Sequence, residues 1–191
     1  METKENKEKT VMMFIDGSNF YFHSKKLLQA NALKFNWAGL VQDIYHECTK
    51  DLNYNCRLVS AYYYAGLPDP KNDIVSHNKQ KKFLNAITAV PFITVKTGYV
   101  MRNAKTGKDM EKGIDTMLSV DMVFNAIKDL CDILILVSAD GDFQYVVKVV
   151  SKQDKEVIVC HPIGAYSVAL KIVSSKIITL DREFLAKHIN K

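Results

Sequence analysis

The sequence lacks any long hydrophobic run, so we predict no membrane-spanning segment. Its longest apolar stretch, residues 133–139, contains one serine and has the length of a strand, whereas about 18 apolar residues are needed to cross a bilayer. The first ten residues are charged and have no apolar centre, unlike a secretory signal. We expect a disordered tail over residues 1–10, no membrane association and a cytoplasmic location.

Paired cysteines and glycine-rich loops are absent as well. The four cysteines, Cys48, Cys56, Cys131 and Cys160, are at least eight residues apart, so no C-x-x-C pair provides half of a zinc site. Scattered cysteines without an export signal are typical of reduced thiols in the cytoplasm. No G-x-G-x-x-G follows the first predicted strand and no P-loop occurs, which argues against these two kinds of nucleotide binding.

The 191 residues have the composition of a globular domain, with 48% hydrophobic and 25% charged residues. Their number favours one domain, which we place at residues 11–191. Apolar strand-like runs alternate with segments of helical periodicity, which predicts an α/β fold with a parallel sheet covered on both faces. We predict strands at 11–15, 56–65, 92–96, 132–137, 157–160 and 177–180, a loop at 66–70, and helices at 19–31, 37–50, 73–90, 113–130, 143–151, 166–174 and from 181.

The positive charge is concentrated in one segment. The net charge is +5, while residues 71–112 contain nine basic and three acidic residues. Such an excess is typical of a polyanion-binding surface, although an ordinary solvated face explains the charge equally well. Part of the segment, 97–111, reads as a basic β-ribbon with a turn at 103–107. The residues that we predict to contact nucleic acid are Lys79, Lys81, Lys82, Lys96, Arg102, Lys105 and Lys108.

Four carboxylates are predicted at the edge of the sheet where α/β folds bind ligands. Asp16 follows the first strand, Asp140 and Asp142 follow the most hydrophobic strand, and Asp115 lies in the first turn of a helix. Singly, each has a structural explanation, namely an Asx turn, a helix N-cap or the helix dipole. Together they would repel one another, and a hard divalent cation relieves that repulsion. We therefore predict a site for one or two Mg²⁺ or Mn²⁺ ions.

Two neighbouring residues have open roles at this stage. Asp121 lies six residues after Asp115, about 240° further around a helix, so it either supports the site from behind or is simply exposed. Lys112 lies three residues before Asp115. It either contacts a phosphate or orients a carboxylate, or it is an ordinary surface lysine.

Three short motifs occur in one order along the chain. They are FIDGSN at 14–19, KGID at 112–115 and SADGDF at 138–143. They resemble the three motifs of the NYN-domain family, the LabA-like branch of the PIN-like nucleases. In that pattern Ile114 replaces a valine and Ala139 replaces a glycine. Both replacements are small, and the resemblance extends over about residues 11–185.

The resemblance implies a PIN-like three-layer α/β/α sandwich with a mainly parallel central sheet. It also implies an acidic pocket that binds Mg²⁺ or Mn²⁺ and often cleaves RNA. By motif position the catalytic and metal-binding residues are Asp16, Asp115, Asp140 and Asp142. The supporting residues are Asn19, Lys112, Asp121 and Ser138.

We expect metal-assisted hydrolysis of RNA phosphodiester bonds, without a protein nucleophile. Single-stranded RNA is favoured because an unpaired strand reaches a compact pocket more easily. The aromatic rings that we consider for stacking on its bases are those of Tyr62, Tyr63, Tyr64 and Tyr99. At least one of the three consecutive tyrosines should instead belong to the core, and for each of them taken alone that alternative is favoured.

Two alternatives belong to other functional classes. A non-catalytic RNA-binding or regulatory module could retain the same acidic pocket. An aspartyl-phosphate phosphatase would use Asp16 as its nucleophile, but it needs a second aspartate two residues later, where Ser18 stands. Whether two copies form a homodimer stays open.

Overall fold

A computed structural model of the chain describes residues 8–102 and 109–190. Over these residues, seven strands form one sheet that helices cover on both faces. The strands are β1 (Lys9–Asp16), β2 (Cys56–Pro68), β3 (Ile93–Arg102), β4 (Asp109–Lys112), β5 (Ile133–Val137), β6 (Glu156–Pro162) and β7 (Lys176–Leu180). The helices are α1 (Gly17–Leu28), α2 (Trp37–Thr49), α3 (Ile74–Thr88), α4 (Ile114–Ile127), α5 (Gln144–Ser151), α6 (Val168–Val173) and α7 (Arg182–Ala186).

The strand order places β1 and β5 side by side in the middle of the sheet. The order is β4-β3-β2-β1-β5-β6-β7, and every neighbouring pair is parallel except β3 and β4. Ile15 pairs with Val137 near the carboxyl ends of the two central strands. Asp16 and Ser138 therefore emerge next to each other at one edge, and the predicted α/β fold with its mainly parallel sheet is confirmed.

Alternate side chains of β1 build a hydrophobic core on each face of the sheet. Val11, Met13 and Ile15 pack with α1, α2, α3 and α7. Met12 and Phe14 pack with α4, α5 and α6 on the other face. Because both faces are covered, the strand is apolar without interruption from Val11 to Ile15, as the sequence pattern indicated.

The first helix begins at Gly17, two residues earlier than predicted. Its N-cap is Asp16, whose carboxylate accepts the backbone N–H of Asn19 at 3.1 Å. The last residue of the strand already satisfies one of the unpaired N–H groups of the helix.

The loop after β5 also differs from the prediction. Asp140, rather than Asp142, caps a short 3₁₀ turn (Gly141–Phe143), and its carboxylate accepts the N–H of Asp142 at 3.0 Å. Helix α5 follows directly at Gln144. The turn inserts between strand and helix, so Asp142 is not at a helix N-cap.

Several strands are longer than the apolar runs that predicted them. β1 begins at Lys9 and β6 ends at Pro162. β2 continues through the predicted loop to Pro68, which pairs with Val100 of β3. A proline is compatible with the end of a strand, where the lost N–H breaks no continuing ladder.

The predicted basic ribbon is present as the antiparallel pair β3–β4. Tyr99 pairs with Lys112 and Arg102 with Asp109. The turn predicted at residues 103–107 lies outside the described residues. The ribbon brings Lys112 and the start of α4 back to the edge where β1 and β5 end.

All four cysteines are free thiols. Within residues 8–102 and 109–190, no helix has the length and apolar character needed to cross a membrane.

Candidate active site

Asp16 is a buried carboxylate at the end of β1, with only 5% of its surface exposed. Its Oδ1 accepts the N–H of Asn19, and its Oδ2 accepts a hydrogen bond from Ser138 Oγ at 3.0 Å. Burial raises the pKa of Asp16 to about 6, and the charges of Asp115 and Asp140 add to the rise. The two hydrogen bonds act in the opposite direction, because they favour the charged form.

Two polar bridges join the ends of the central strands. The buried Ser138 donates to Asp16 and accepts the N–H of Asp140 at 3.1 Å. On the other side, Asn19 Oδ1 accepts the N–H of Ala139 at 3.0 Å. The structure thus places two of the four predicted supporting residues, Asn19 and Ser138, between the loops that carry Asp16 and Asp140.

Asp115 lies in the first turn of α4, two residues after Gly113. The φ of Gly113 is 81°, in the left-handed region that glycine adopts without strain, and this turn leads the chain from β4 into α4. Partial burial raises the pKa of Asp115 above its ordinary value, and the charges of Asp140, Asp142 and Glu111 raise it further. These electrostatic effects indicate that the acidic side chains are near neighbours.

One cavity of about 480 Å³ is lined by three of the four predicted carboxylates, Asp16, Asp115 and Asp140. Asp142, the middle residue of the 3₁₀ turn, is exposed and does not line the cavity. Its charge nevertheless acts on the pKa of Asp115. The remaining lining residues are Ser18, Asn19, Phe22, Glu111, Lys112, Gly113, Ile114 and Thr116.

Glu111 is a carboxylate of this cavity that the sequence analysis did not single out. Its Oε1 accepts the backbone N–H of Gly66 at 2.8 Å, which ties β4 to β2 at the cavity wall. A Cβ atom at Gly66 would come within 2.7 Å of Glu111 Cγ, so the contact requires the glycine. One sign of a role for Glu111 was present in the sequence, namely its position beside the motif residue Lys112. A single acidic residue there does not by itself predict a site.

The carboxylate oxygens around the cavity are of the chemical type that binds a hard divalent cation. Mg²⁺ and Mn²⁺ prefer carboxylate oxygens. Part of the raised pKa of Asp16 and Asp115 comes from neighbouring carboxylates, a repulsion that a cation would relieve. In the described part of the chain, however, no three His, Cys, Asp or Glu side chains are already gathered as a metal-binding group. The carboxylates share a cavity without forming a complete coordination shell.

Asp121 belongs to a polar cluster that does not line this cavity. Its Oδ2 accepts a hydrogen bond from Tyr64 Oη and another from Lys96 Nζ, both at 2.7 Å. The Lys96 ammonium also lies 5.3 Å from the centre of the Tyr62 ring. Asp121 therefore ties α4 to β2 and β3, and Lys96, which we predicted to contact nucleic acid, has a carboxylate partner within the fold.

The tyrosines predicted to stack on bases differ widely in exposure. Tyr63 and Tyr64 are 2% and 0% exposed, so that interpretation was wrong for both. Tyr62 is half-buried and stacks on Phe14, with ring centroids 5.4 Å apart. Tyr99, on the ribbon, is 57% exposed and keeps an accessible ring.

The other predicted basic residues lie in different parts of the chain. Lys79, Lys81 and Lys82 are exposed on α3, and Lys112 lines the acidic cavity. Arg102 is the last residue of β3. Lys105 and Lys108 lie outside the described residues.

The family model of the NYN domain matches residues 10–181 of this chain. A curated relative, the low amplitude and bright protein LabA of Synechococcus elongatus, is 25% identical over 190 residues, covering 92% of this chain and 87% of that protein. Among solved structures, a protein of unknown function from Vibrio parahaemolyticus has a similar fold, with a TM-score of 0.65 and 23% identity. That similarity covers 97% of this chain and 99% of the other.

Proposed function

The chain belongs to the NYN domain family, and from this membership and the acidic cavity we propose that it is a metal-dependent endoribonuclease. The family suggests a nuclease that acts on RNA. The proposed dependence on a metal is supported by the cavity that Asp16, Asp115 and Asp140 share. Carboxylates arranged around one cavity are suited to metal-assisted hydrolysis of phosphodiester bonds.

The burial of Asp16 in one cavity with Asp115 and Asp140 is the observation that carries the proposal, and it raises the pKa of Asp16. An Asx turn explains its hydrogen bond to Asn19 but gives no reason for burying a carboxylate near two others. Burial of this kind lowers the free energy of unfolding at neutral pH. Perturbed carboxylates inside a cleft are typical of catalytic sites.

In the proposed site, Asp16, Asp115 and Asp140 would hold one or two cations, and Asp142 would add negative charge beside them. When bound, Mg²⁺ or Mn²⁺ lowers the pKa of a coordinated water and offsets charge on the scissile phosphate. The chain then needs no nucleophilic side chain of its own.

The other residues bind and position the substrate. Ser138 and Asn19 fix the two loops that carry the carboxylates, as their hydrogen bonds indicate. Lys112 and the amino end of α4 provide positive potential for phosphate oxygens at the cavity wall. Tyr99 provides an exposed ring for an unpaired base, and the exposed lysines of α3 provide further phosphate contacts.

The proposal is tested by incubating single-stranded RNA with the wild type and with Asp140→Asn, in Mn²⁺, in Mg²⁺ and in EDTA. The matched control is Asp154→Asn, since Asp154 is exposed in the turn before β6. We expect metal-dependent cleavage by the wild type and the control. Asp140→Asn should lose about 100-fold or more, the loss typical of removing a charge-stabilising group from an active site. A circular RNA, which only an endonuclease cuts, separates endonuclease from exonuclease activity.

Two results would overturn the proposal. Salt-sensitive RNA binding without cleavage of any RNA would identify the non-catalytic RNA-binding module instead. Equal cleavage by Asp140→Asn and the wild type would show that the activity comes from a contaminant or from another site.

A further inference from the structure

A groove of about 560 Å³ lies between α5 and α6, apart from the acidic cavity. Its lining contains two positive charges and no carboxylate. The seven lining residues are Gln144, Tyr145, Lys148, Ser151, Lys152, Ile172 and Val173. None of them belongs to the basic segment 71–112 that the sequence analysis singled out.

One lysine of the groove, Lys148, lies in the last turn of α5, and the other, Lys152, follows that helix as its C-cap. Lys148 and Lys152 are both exposed, and the rise between them is about 6 Å along α5. Among the ion pairs of residues 8–102 and 109–190, neither lysine has a carboxylate partner. Their charge is therefore not neutralised within the described fold and is free to attract an anion.

Two exposed hydrophobic side chains accompany these charges. Tyr145 on α5 is 77% exposed, and Ile172 on α6 is 73% exposed. Lysines beside an accessible aromatic ring are the combination with which proteins hold single-stranded nucleic acid, because cations bind phosphates and rings stack on bases. A purely apolar partner would gain nothing from two unpaired ammonium groups, which it would have to desolvate.

The two helices that form the groove begin near Asp140 of the acidic cavity. Helix α5 starts at Gln144, immediately after the turn that Asp140 caps. A Cβ atom at Gly141 in that turn would lie 3.1 Å from the Oγ of Ser167, the N-cap of α6. Both helices therefore start beside Asp140, and a strand that leaves the cavity can enter the space between them.

We propose that the α5–α6 groove binds the single-stranded RNA that extends from the catalytic cavity. Lys148 and Lys152 contact successive phosphates, and the ring of Tyr145 stacks on a base. This inference rests on the proposed ribonuclease function, because it assigns the RNA path to that same site.

The experiment measures binding of fluorescein-labelled single-stranded RNA by anisotropy at several salt concentrations. The full chain carries Asp140→Asn to prevent cleavage. Each phosphate contact with a single strand contributes about 0.7 to the slope of log K against log salt. Lys148→Gln with Lys152→Gln should therefore reduce the slope by about 1.4. Tyr145→Ala should weaken binding about fivefold or more with little change in slope, because stacking of a base is not electrostatic.

The matched control is Lys26→Gln with Lys34→Gln, which removes the same charge. Lys26 and Lys34 are exposed, and they lie on and just after α1, on the opposite face of the sheet. We expect the slope of this control to equal that of the parent protein. If the groove variant and the control have the same slope and affinity, the inference is overturned, since net charge alone would then explain binding.

The experiment distinguishes an error in the groove inference from an error in the proposed ribonuclease function. If the otherwise unmodified chain cleaves RNA while all three groove substitutions leave RNA binding unchanged, only the groove inference fails. The groove would then serve another anionic partner, such as an acidic protein surface. If the chain neither binds nor cleaves RNA, the proposed function itself fails.

Discussion

Ser138 donates a hydrogen bond to Asp16 Oδ2 at 3.0 Å, and the same hydroxyl oxygen accepts the N–H of Asp140 at 3.1 Å. One buried serine thus links two carboxylate-bearing residues whose strands are distant in sequence. Its hydrogen bond lowers the pKa of Asp16 and so opposes the effect of burial. Ser138 is in this sense a positioning residue that acts through Asp16.

We predict that Ser138→Ala raises the pKa of Asp16 further above about 6, because the charged form loses a donor. The acidic limb of the pH profile of kcat/KM should move to higher pH. Cleavage should fall by about 10-fold to 100-fold, the range for residues that orient metal ligands, with the larger loss at acidic pH. The measurement is kcat/KM for one RNA in Mn²⁺ across pH 5 to 8.

A suitable control for this change is Ser24→Ala. Ser24 is fully buried in α1, and its Oγ has no hydrogen-bond partner among the described residues. Its replacement removes a buried hydroxyl without touching the acidic cavity, so the pH profile should be unchanged. An unshifted profile in Ser138→Ala would show that the serine does not tune Asp16.

We predict that Asp16→Asn stabilises the fold at pH 7 in EDTA. The pKa of Asp16 is raised from 3.8 to about 6, so the folded state favours the protonated form. The stability that the folded protein gains from protonated Asp16 is fully present below pH 4 and is lost as the pH rises through about 6. Asparagine is neutral throughout, so the variant should exceed the wild type by about 2–3 kcal/mol at pH 7. Urea unfolding between pH 4 and 8 measures this difference.

The corresponding control is Asp154→Asn. Asp154 is exposed and has a φ of 56°, which asparagine also tolerates. Its free energy of unfolding should change by less than about 0.5 kcal/mol at either pH. A stability gain in Asp16→Asn that is the same at pH 4 and pH 7 would contradict the assignment of the raised pKa to Asp16.

The sequence was sufficient to predict the sheet and the edge at which the carboxylates gather. Asp16 ends one apolar run and Asp140 closely follows another, and parallel strands bring such residues to a common edge. Asp115 was predicted from its place after a glycine at the start of a helix. These features depend on local periodicity and on one topological rule, which a single sequence contains.

The contacts between side chains could not be predicted in the same way. Glu111 binds the N–H of Gly66 across the junction of β2 and β4, and this depends on how the ribbon folds back. Tyr63 and Tyr64 are both buried because they point to opposite, helix-covered faces of one strand. Asp142 lies within a 3₁₀ turn and does not line the cavity, and its spacing from Asp140 gave no sign of that turn.

We predict that Asp121→Asn destabilises the fold by about 1–3 kcal/mol, because Lys96 and Tyr64 lose a charged acceptor. If Lys96 stabilises the fold and does not contact RNA, Lys96→Met should leave the salt dependence of RNA binding unchanged. A double-mutant cycle of Asp121→Asn and Lys96→Met, followed by urea unfolding, measures the coupling of the pair.

The exposed pair Glu47–Lys50 is the control for this cycle. Its coupling should be only about 0.3–0.5 kcal/mol, as for other surface pairs within one helix. Equal coupling in the two cycles would contradict a structural role for Asp121. A reduced salt slope in Lys96→Met would instead assign Lys96 to RNA binding.

Gly17, which follows Asp16, has no room for a side chain. A Cβ atom there would lie 2.4 Å from Tyr63 Cζ and 2.6 Å from the Tyr64 carbonyl oxygen, which is fixed in the sheet. We predict that Gly17→Ala lowers the free energy of unfolding by about 1–3 kcal/mol or more, measured by urea unfolding. Gly141→Ala should cost less, because its nearest neighbour is the Ser167 hydroxyl at 3.1 Å, which can rotate away. Full stability of Gly17→Ala would show that space is not the reason for glycine at this position.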